Sequence, residues 1–430
     1  MNSVVSNPSA TENNNSPFRV MVVDDSAIIR GFLCRYLSED ASIDVVTTAN
    51  NGAVALRQLA QHDIEAVVLD IEMPEMDGMT ALPKMIDMKP DLQVVMASTL
   101  TRKNAEVSLR ALQRGAVDYV PKPETARSVN ANIDFRRELV EKVKAWASRR
   151  RTKLGQGQPL ALNGGLGAAK AQPNFARPSR PASASGFVSA QRPAATITGL
   201  SGTKAKPVST AIAGANGAAY GAAMGSAPIV LRKGSVRKPK IMLIGSSTGG
   251  PQALMKFFAG FTQAPSVPIL ITQHMPATFT AILAEHLGQA TGWPAVEGKD
   301  GMEVKAGHIY VAPGGRHMEI AGSEGQLSIR ITDAPAENFC RPAVDPLFRT
   351  AAEIFGERIL GVILTGMGHD GLKGAREITK AGATLLAQDE ASSVVWGMPG
   401  AVAGAGLCTE ILPITDLGAA AQKWLQGGMA

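Results

Sequence analysis

Strand-length apolar runs alternate with helix-length segments over most of this chain, and that alternation limits the folds that it can adopt. In the first block the apolar runs end at Val23, Thr47, Leu69, Ala97 and Val120. Continuous apolar strands separated by helices are typical of a parallel sheet that is covered on both faces. The first block therefore predicts a doubly wound α/β domain whose functional site lies at the carboxyl ends of its strands.

A second block of the same kind begins after Pro239. Its apolar runs cover residues 241–244, 269–273, 308–312, 360–364 and 384–387. Two further short runs, 318–321 and 326–331, flank a pair of glycines and predict a β-hairpin. We therefore expect a second, Rossmann-like α/β domain with a mostly parallel sheet and an appended antiparallel hairpin.

The 430 residues exceed what one ordinary core accommodates, so the chain is divided into domains. We predict a disordered N-terminal tail over residues 1–17 and a first domain over 18–150, which ends in a helix with one apolar face. A flexible basic linker over 151–237 then precedes a second domain over 238–430. The linker is predicted from its Ala, Gly, Pro and Ser content.

The positive charge of the chain lies in the predicted linker and in the residues at its two ends. From Arg149 to Lys238 there are fourteen Lys or Arg residues and no acidic residue, whereas the whole chain has a net charge of only +6. The folded remainder is therefore acidic overall. The linker has neither interleaved aromatic residues nor a helical stripe of charge, so we predict no nucleic-acid binding.

Cysteine content and hydropathy indicate the compartment. The three cysteines lack the spacing of a metal site, and their small, odd number argues against a disulfide framework, which favours a reducing environment. No apolar segment reaches the roughly 18 residues that a membrane helix needs, and the N-terminus is polar rather than signal-like. We expect a cytoplasmic protein that does not insert into a membrane.

Polar side chains mark the strand ends of the first block. Asp24 and Asp25 follow the first apolar run, Asp70 follows the third, Ser98 ends the fourth and Lys122 follows the fifth. Carboxylates crowded at one edge suit a divalent cation such as Mg²⁺, which offsets their mutual repulsion. Each residue alone could simply cap a helix or begin a turn. All five at matching strand ends favour a phosphoryl site.

With these five residues and the turn over 70–78, the first block resembles the receiver domain of two-component response regulators, which has a flavodoxin-like fold. The resemblance implies that Asp70 accepts a phosphoryl group from a histidine kinase. It implies a Mg²⁺ site, needed only for phosphorylation, in which Asp25, Asp70 and the backbone carbonyl of Glu72 hold the ion and Asp24 assists through water. Ser98 and Lys122 would contact the phosphoryl group and change the state of the domain.

A glycine-rich turn, residues 245–250, follows the first strand of the second block. Gly245, Ser247 and Gly249 have the G-x-S-x-G spacing that places a nucleophilic serine between a strand and a helix. Such turns also bind phosphate. This one lacks the lysine of a P-loop and the third glycine of a dinucleotide fingerprint, which favours the nucleophile.

A serine nucleophile requires a base and a group that orients the base. His274 directly follows the 269–273 strand, on the sheet edge where Ser247 is expected, although it could be a simple loop residue. Asp370 follows the 360–364 strand on the same edge and could instead be the N-cap of the next helix. His369 is a rival base, which we rank below His274.

These residues resemble the catalytic domain of CheB-type methylesterases of bacterial chemotaxis. The matching motifs lie at 244–250, 272–276, 310–314, 341–345, 364–371, 388–389 and 396–399. The resemblance implies a Ser247, His274, Asp370 triad with an oxyanion site at the Met367 N–H and Thr248. His369 stands where asparagine is more usual, and the linker is longer than expected.

Together the two resemblances cover the chain and imply a phosphorylation-activated protein-glutamate methylesterase. Such a serine-type hydrolase releases methanol from glutamyl methyl esters on the cytoplasmic helices of chemoreceptors and also converts receptor glutamine to glutamate. The esterase domain would need no cofactor. The alternative is a receiver that controls a nucleotide-binding or DNA-binding module, although the second domain shows no basic recognition helix.

Overall fold

The computed structural model describes residues 16–99, 101–122, 133–155 and 229–427. Most of the predicted tail (1–17) and of the predicted linker (151–237) lies outside these residues, so both remain predictions. The described residues form two parallel sheets and one hairpin. Among the described helices, none is long and apolar enough to cross a bilayer.

The first sheet contains five parallel strands in the order β2-β1-β3-β4-β5, which confirms the predicted doubly wound, flavodoxin-like fold. Its elements are β1 Phe18–Val23, α1 Ala27–Ser38, β2 Ile43–Ala49, α2 Gly52–Gln61, β3 Ala66–Asp70, α3 Gly78–Met88, β4 Gln93–Thr99, α4 Arg102–Gln113, β5 Asp118–Lys122 and α5 Ile133–Lys153. Every residue of β3 is buried, as a central parallel strand requires.

Side-chain caps start the first four helices at the positions where the chain leaves the sheet edge. Ser26, Asn51, Asp77 and Thr101 each accept a hydrogen bond from a backbone N–H in the first turn of the following helix. Gly78 begins α3 so close to Asp70 that a Cβ there would lie 2.0 Å from the Asp70 carbonyl oxygen. These caps hold the strand-end loops at the edge where the polar side chains collect.

The second sheet contains seven parallel strands in the order β14-β13-β12-β6-β7-β9-β8. The elements of this region are β6 Ile241–Ser246, α6 Gly250–Ala259, β7 Ile269–Gln273, α7 Phe279–Thr291, β8 Ala295–Glu297, β9 Ile309–Val311, β10 His317–Ser323, β11 Gln326–Thr332, α8 Val344–Phe355, β12 Ile359–Ile363, α9 Leu372–Lys380, β13 Thr384–Gln388, α10 Met398–Gly404, β14 Glu410–Leu412 and α11 Ile414–Leu425.

The hairpin forms its own two-stranded sheet, in which β10 pairs with β11 in antiparallel register. The expected parallel sheet and appended hairpin are confirmed. The two outermost strands, β8 and β14, were not predicted, because each has only three residues and no fully buried position. An edge strand of that length leaves no apolar run in the sequence.

The order of the second sheet positions the candidate catalytic residues. Ile244 of β6 pairs with Val362 of β12 on one side and with Ile271 of β7 on the other, so β6 lies between β12 and β7. The carboxyl ends of these three parallel strands therefore meet at one edge of the sheet. The segments that carry Ser247, His274 and Asp370 each follow one of these strand ends.

Candidate active site and phosphoacceptor site

The turn after β6 holds Ser247 beside the start of α6. The Ser247 N–H donates to the Thr365 carbonyl at 3.0 Å, and the Ser247 carbonyl accepts from the Gly250 N–H at 2.7 Å. Gly249 has a φ of +75°, which favours glycine. A Cβ at Gly250 would lie 1.9 Å from the Gln273 side-chain oxygen, so this turn requires glycine for close packing as well as for its backbone conformation.

His274 and Asp370 form a hydrogen-bonded pair at this edge. The His274 Nε2 and the Asp370 Oδ2 are 2.7 Å apart, and their side chains are only 12% and 2% exposed. The backbone N–H of His274 also donates to the Ser246 carbonyl at 3.1 Å. The structure thus brings His274 to Asp370, whereas the rival base, His369, is exposed.

Asp370 does not cap its own helix, so that alternative interpretation was wrong. Gly371 occupies the N-cap of α9, and no side chain caps that helix. Asp370 instead accepts hydrogen bonds from the Val344 N–H at 2.6 Å, at the start of α8, and from the Asn338 side chain at 2.8 Å. Burial opposes ionisation, but His274 and these donors lower the pKa of Asp370.

Asp345 is a second buried carboxylate beside Asp370. It accepts from the Gly374 N–H at 2.7 Å and from the Asn338 amide at 2.9 Å, so Asn338 bridges the two carboxylates. Burial and the negative charge of Asp370 raise the pKa of Asp345. Asp370 is therefore the carboxylate that carries the charge next to His274.

The second ring nitrogen of His274 faces a cysteine. The Cys340 Sγ and the His274 Nδ1 are 3.4 Å apart. Burial lowers the pKa of His274, but Cys340 and Asp370 together outweigh it and raise the pKa to about 10. Among the hydrogen bonds of the described residues, none joins the Ser247 hydroxyl to His274. The serine therefore lies at the same edge as the base without contacting it through a hydrogen bond.

Two backbone N–H groups near Ser247, those of Thr248 and Met367, have no acceptor among the described residues. A Cβ at Gly366 would lie 2.9 Å from the Ser247 Cβ, so the 365–368 turn packs directly against the serine. Free N–H groups beside a candidate nucleophile are what an oxyanion site requires.

Sequence reasoning did not assign roles to three residues that touch this site. Gln273 is 2% exposed, accepts from the Ser246 hydroxyl at 2.7 Å and donates to the Ser247 carbonyl at 2.9 Å. Asn338 and Cys340 lie in an irregular loop between β11 and α8. Their only sequence signal was their position just before the motif at 341–345.

The first sheet gathers its carboxylates as the sequence predicted. Ligand oxygens of Asp24, Asp25 and Asp70 all lie within 4.8 Å of one another. The Lys122 Nζ contacts the Asp24 Oδ2 at 2.6 Å and the Asp70 Oδ1 at 2.7 Å. Burial raises the pKa of Asp70, Lys122 opposes that rise and the charge of Asp24 adds to it. Three clustered carboxylates suit Mg²⁺, a hard cation.

The remaining candidate residues surround that cluster. The buried Ser98 hydroxyl shares a 2.8 Å hydrogen bond with the Ser108 hydroxyl of α4. The Glu72 side chain is 62% exposed and pairs with Lys103 at 3.5 Å. Asp25 and Glu72 line an open cleft beside Asp70.

The α4–β5 side of the first sheet contacts helices of the second. Tyr119 stacks on Phe279 with ring centroids 4.5 Å apart. The Arg102 guanidinium donates to the Glu285 carboxylate at 2.7 Å, and the Gln252 side chain donates to the Ala116 carbonyl at 2.8 Å. The two α/β regions therefore share a packed surface.

Fold and site together define a class, that of two-component response regulators in which a receiver precedes a second α/β domain. The response regulator receiver domain model matches residues 20–134, and the CheB methylesterase model matches residues 242–421. A relative from Rhodospirillum rubrum, a protein-glutamate methylesterase/protein-glutamine glutaminase, is 46% identical over 94% of each chain. The chain belongs to the CheB methylesterase family, and both resemblances found in the sequence are confirmed.

Other relatives have the same description. One from Azospirillum brasilense is 46% identical and covers 95% of this chain and 93% of its own. The crystal structure of the Thermotoga maritima CheB methylesterase catalytic domain is 37% identical, with a TM-score of 0.42, and covers 44% of this chain and 99% of that chain.

Proposed function

We propose that this chain is a phosphorylation-activated protein-glutamate methylesterase that also acts as a protein-glutamine glutaminase. The substrate is a glutamyl γ-methyl ester, or a glutamine, on the cytoplasmic helices of a chemoreceptor. The observation that carries the proposal is the buried His274–Asp370 pair at the strand edge that also holds Ser247. The protein would act in the cytoplasm, in chemotactic adaptation.

The proposed chemistry is acyl transfer. Ser247 attacks the ester carbonyl while His274 accepts the serine proton through Nδ1, since Asp370 occupies Nε2. The N–H groups of Met367 and Thr248 stabilise the oxyanion. His274 returns the proton to the departing methanol, and water, activated by the same base, then releases glutamate from the acyl-enzyme. With a glutamine substrate, ammonia leaves instead. No cofactor takes part.

The receiver supplies the control. Asp70 accepts a phosphoryl group from a chemotaxis histidine kinase, and Asp25, Asp70 and the Glu72 carbonyl would hold Mg²⁺, with Asp24 assisting through water. The cation would offset the carboxylate charges during transfer. Ser98 and Lys122 would contact the new phosphoryl oxygens.

We propose that the unphosphorylated receiver restricts access to Ser247. Two contacts near the active site support this. The Arg149 guanidinium of α5 donates to the Ser392 carbonyl at 3.1 Å, in the segment that precedes α10. The Arg137 guanidinium carbon lies 5.2 Å from the centre of the Phe339 ring, next to Cys340. Phosphorylation would release such contacts.

The test is methanol release from methylated receptor membranes, with and without an acyl phosphate as phosphodonor. The native chain should release methanol, and faster with the phosphodonor than without it. In Ser247→Ala the rate of release should be lower by at least about 10³-fold. Ser323→Ala, at an exposed serine of the hairpin, is the matched control and should retain it. Equal activity of Ser247→Ala and the native chain would refute the serine mechanism.

The same preparations test the alternative. A nucleotide-binding or DNA-binding output would appear as stabilisation by nucleotide or as retardation of DNA, with no release of methanol.

A further inference from the structure

The loop at 337–340 contacts both members of the His274–Asp370 pair. Asn338 donates to Asp370 at 2.8 Å, and Cys340 lies 3.4 Å from the His274 Nδ1. Both Asn338 and Phe339 have positive φ values, +51° and +64°, which non-glycine residues seldom adopt. A conformation of this cost persists only where the surrounding contacts hold it.

Buried contacts hold the two ends of the segment that carries this loop. The fully buried His317 contacts the Pro335 carbonyl through Nε2 at 3.1 Å and accepts from the Ala343 N–H through Nδ1 at 3.1 Å. The Gly315 N–H donates to the Arg341 carbonyl at 3.0 Å. The fold thus holds Cys340 against His274.

We propose that Cys340 is a positioning residue that competes with Ser247 for the His274 Nδ1 and so sets the pH at which the esterase becomes active. This inference rests on the proposed function, because Nδ1 is the only ring nitrogen left to accept the serine proton once Asp370 occupies Nε2.

Cys340 and Ser247 compete to give a proton to the same atom, the His274 Nδ1. Transfer of the thiol proton from Sγ to Nδ1 gives a thiolate next to an imidazolium, stabilised by opposite charge. An imidazolium cannot accept a proton from Ser247. The proton must return to Sγ, or leave to solvent, before the serine can be activated. The cysteine therefore withholds the base from a fraction of the molecules.

The charged and titratable groups around His274 are few among the described residues. Cys340 faces Nδ1, Asp370 faces Nε2, and Asp345 lies behind Asp370 through Asn338. Glu337, at the other end of the loop, pairs with Arg349 at 2.8 Å. Because Cys340 and Asp370 raise the pKa of His274 to about 10, loss of Cys340 should lower it.

The test compares Cys340→Ala and Cys340→Ser with the native chain in methanol release between about pH 6 and 10, a range that runs from below the ordinary histidine pKa up to the raised one. Neither variant can form a thiolate, so in both the rise of kcat/KM with pH should move down by at least about one unit, which is tenfold more activity on the rising limb. Cys34→Ala, in α1 of the receiver, is the matched control and should not move the profile. Unchanged profiles in both Cys340 variants would overturn the proposal.

A second measurement needs no substrate. Alkylation by iodoacetamide, followed for each cysteine by mass spectrometry, should modify Cys340 at lower pH in the native chain than in His274→Gln, whereas Cys34 should react alike in both. Cys408 should react least, since burial raises its pKa to about 12. If Cys340 reacts with the same pH dependence in the native chain and in His274→Gln, the thiolate–imidazolium pair does not exist. If His274 changes the pH dependence of Cys340 alkylation as expected but neither the native chain nor the Cys340 variants release methanol, the esterase proposal fails instead.

Discussion

The Asp370→Asn substitution is the sharpest test of the proposed triad, because the structure shows what each carboxylate oxygen does. Oδ2 accepts from His274 at 2.7 Å and from the Val344 N–H at 2.6 Å. Oδ1 accepts from the Asn338 amide at 2.8 Å. An asparagine offers one accepting oxygen, so its NH₂ group must face donors on one side.

The effect on activity should be far larger than the effect on folding. In Ser-His-Asp sites this substitution lowers turnover by about 10⁴, because the histidine adopts the wrong tautomer. That corresponds to about 5.5 kcal/mol of activation free energy. The free energy of unfolding should fall by only about 2 kcal/mol, the usual value of a hydrogen bond to a charged group. If Asp370 were only the N-cap of α9, asparagine would replace it with almost no loss of stability, because Asn and Asp cap helices about equally well.

Asp345→Asn provides the matched control. Asp345 is fully buried, accepts from the same Asn338 amide at 2.9 Å and does not contact His274. The assays are methanol release at about pH 7 with saturating phosphodonor and urea unfolding of the same preparations. The proposed triad is contradicted if Asp370→Asn keeps more than about a tenth of the native activity. It is also contradicted if Asp345→Asn loses as much activity as Asp370→Asn does, because of these two carboxylates only Asp370 contacts His274.

Two further predictions concern the receiver and its contact with the second domain. Phe279→Leu removes the stack on Tyr119, which is worth about 0.5–1.5 kcal/mol. Activity without phosphodonor should therefore rise about two- to tenfold. If it does not rise, this contact does not restrain the enzyme. Asp70→Asn should abolish the response to phosphodonor. Because burial raises the pKa of Asp70, the folded native chain binds the Asp70 proton more tightly than the unfolded chain does. The stability of the native chain relative to Asp70→Asn should therefore fall as pH rises through the aspartate range. A difference in unfolding free energy that stays constant with pH would contradict the raised pKa of Asp70.

Much of the fold and site could be predicted because both follow from strand ends. Ser247, His274 and Asp370 come after apolar runs, and parallel strands place their carboxyl ends on one edge. The adjacency of β12, β6 and β7 then places the three segments that carry them at that edge, where His274 and Asp370 form a hydrogen bond. Asn338 and Cys340 could not be placed in this way, because their irregular loop has no periodic pattern and its position depends on distant contacts such as those of His317.

The position of α7 suggests how the two sites communicate. Lys122, which pairs with Asp70, and Tyr119 lie on the same short strand, β5. Tyr119 stacks on Phe279, the first residue of α7, which follows His274 closely in the chain. A phosphoryl group on Asp70 would add about −1.5 to −2 charge beside Lys122 and would change the ion pairs of that lysine. We infer that β5 and the start of α7 carry that change to the active-site edge, since Lys122 and Tyr119 share β5 and Tyr119 stacks on the first residue of α7.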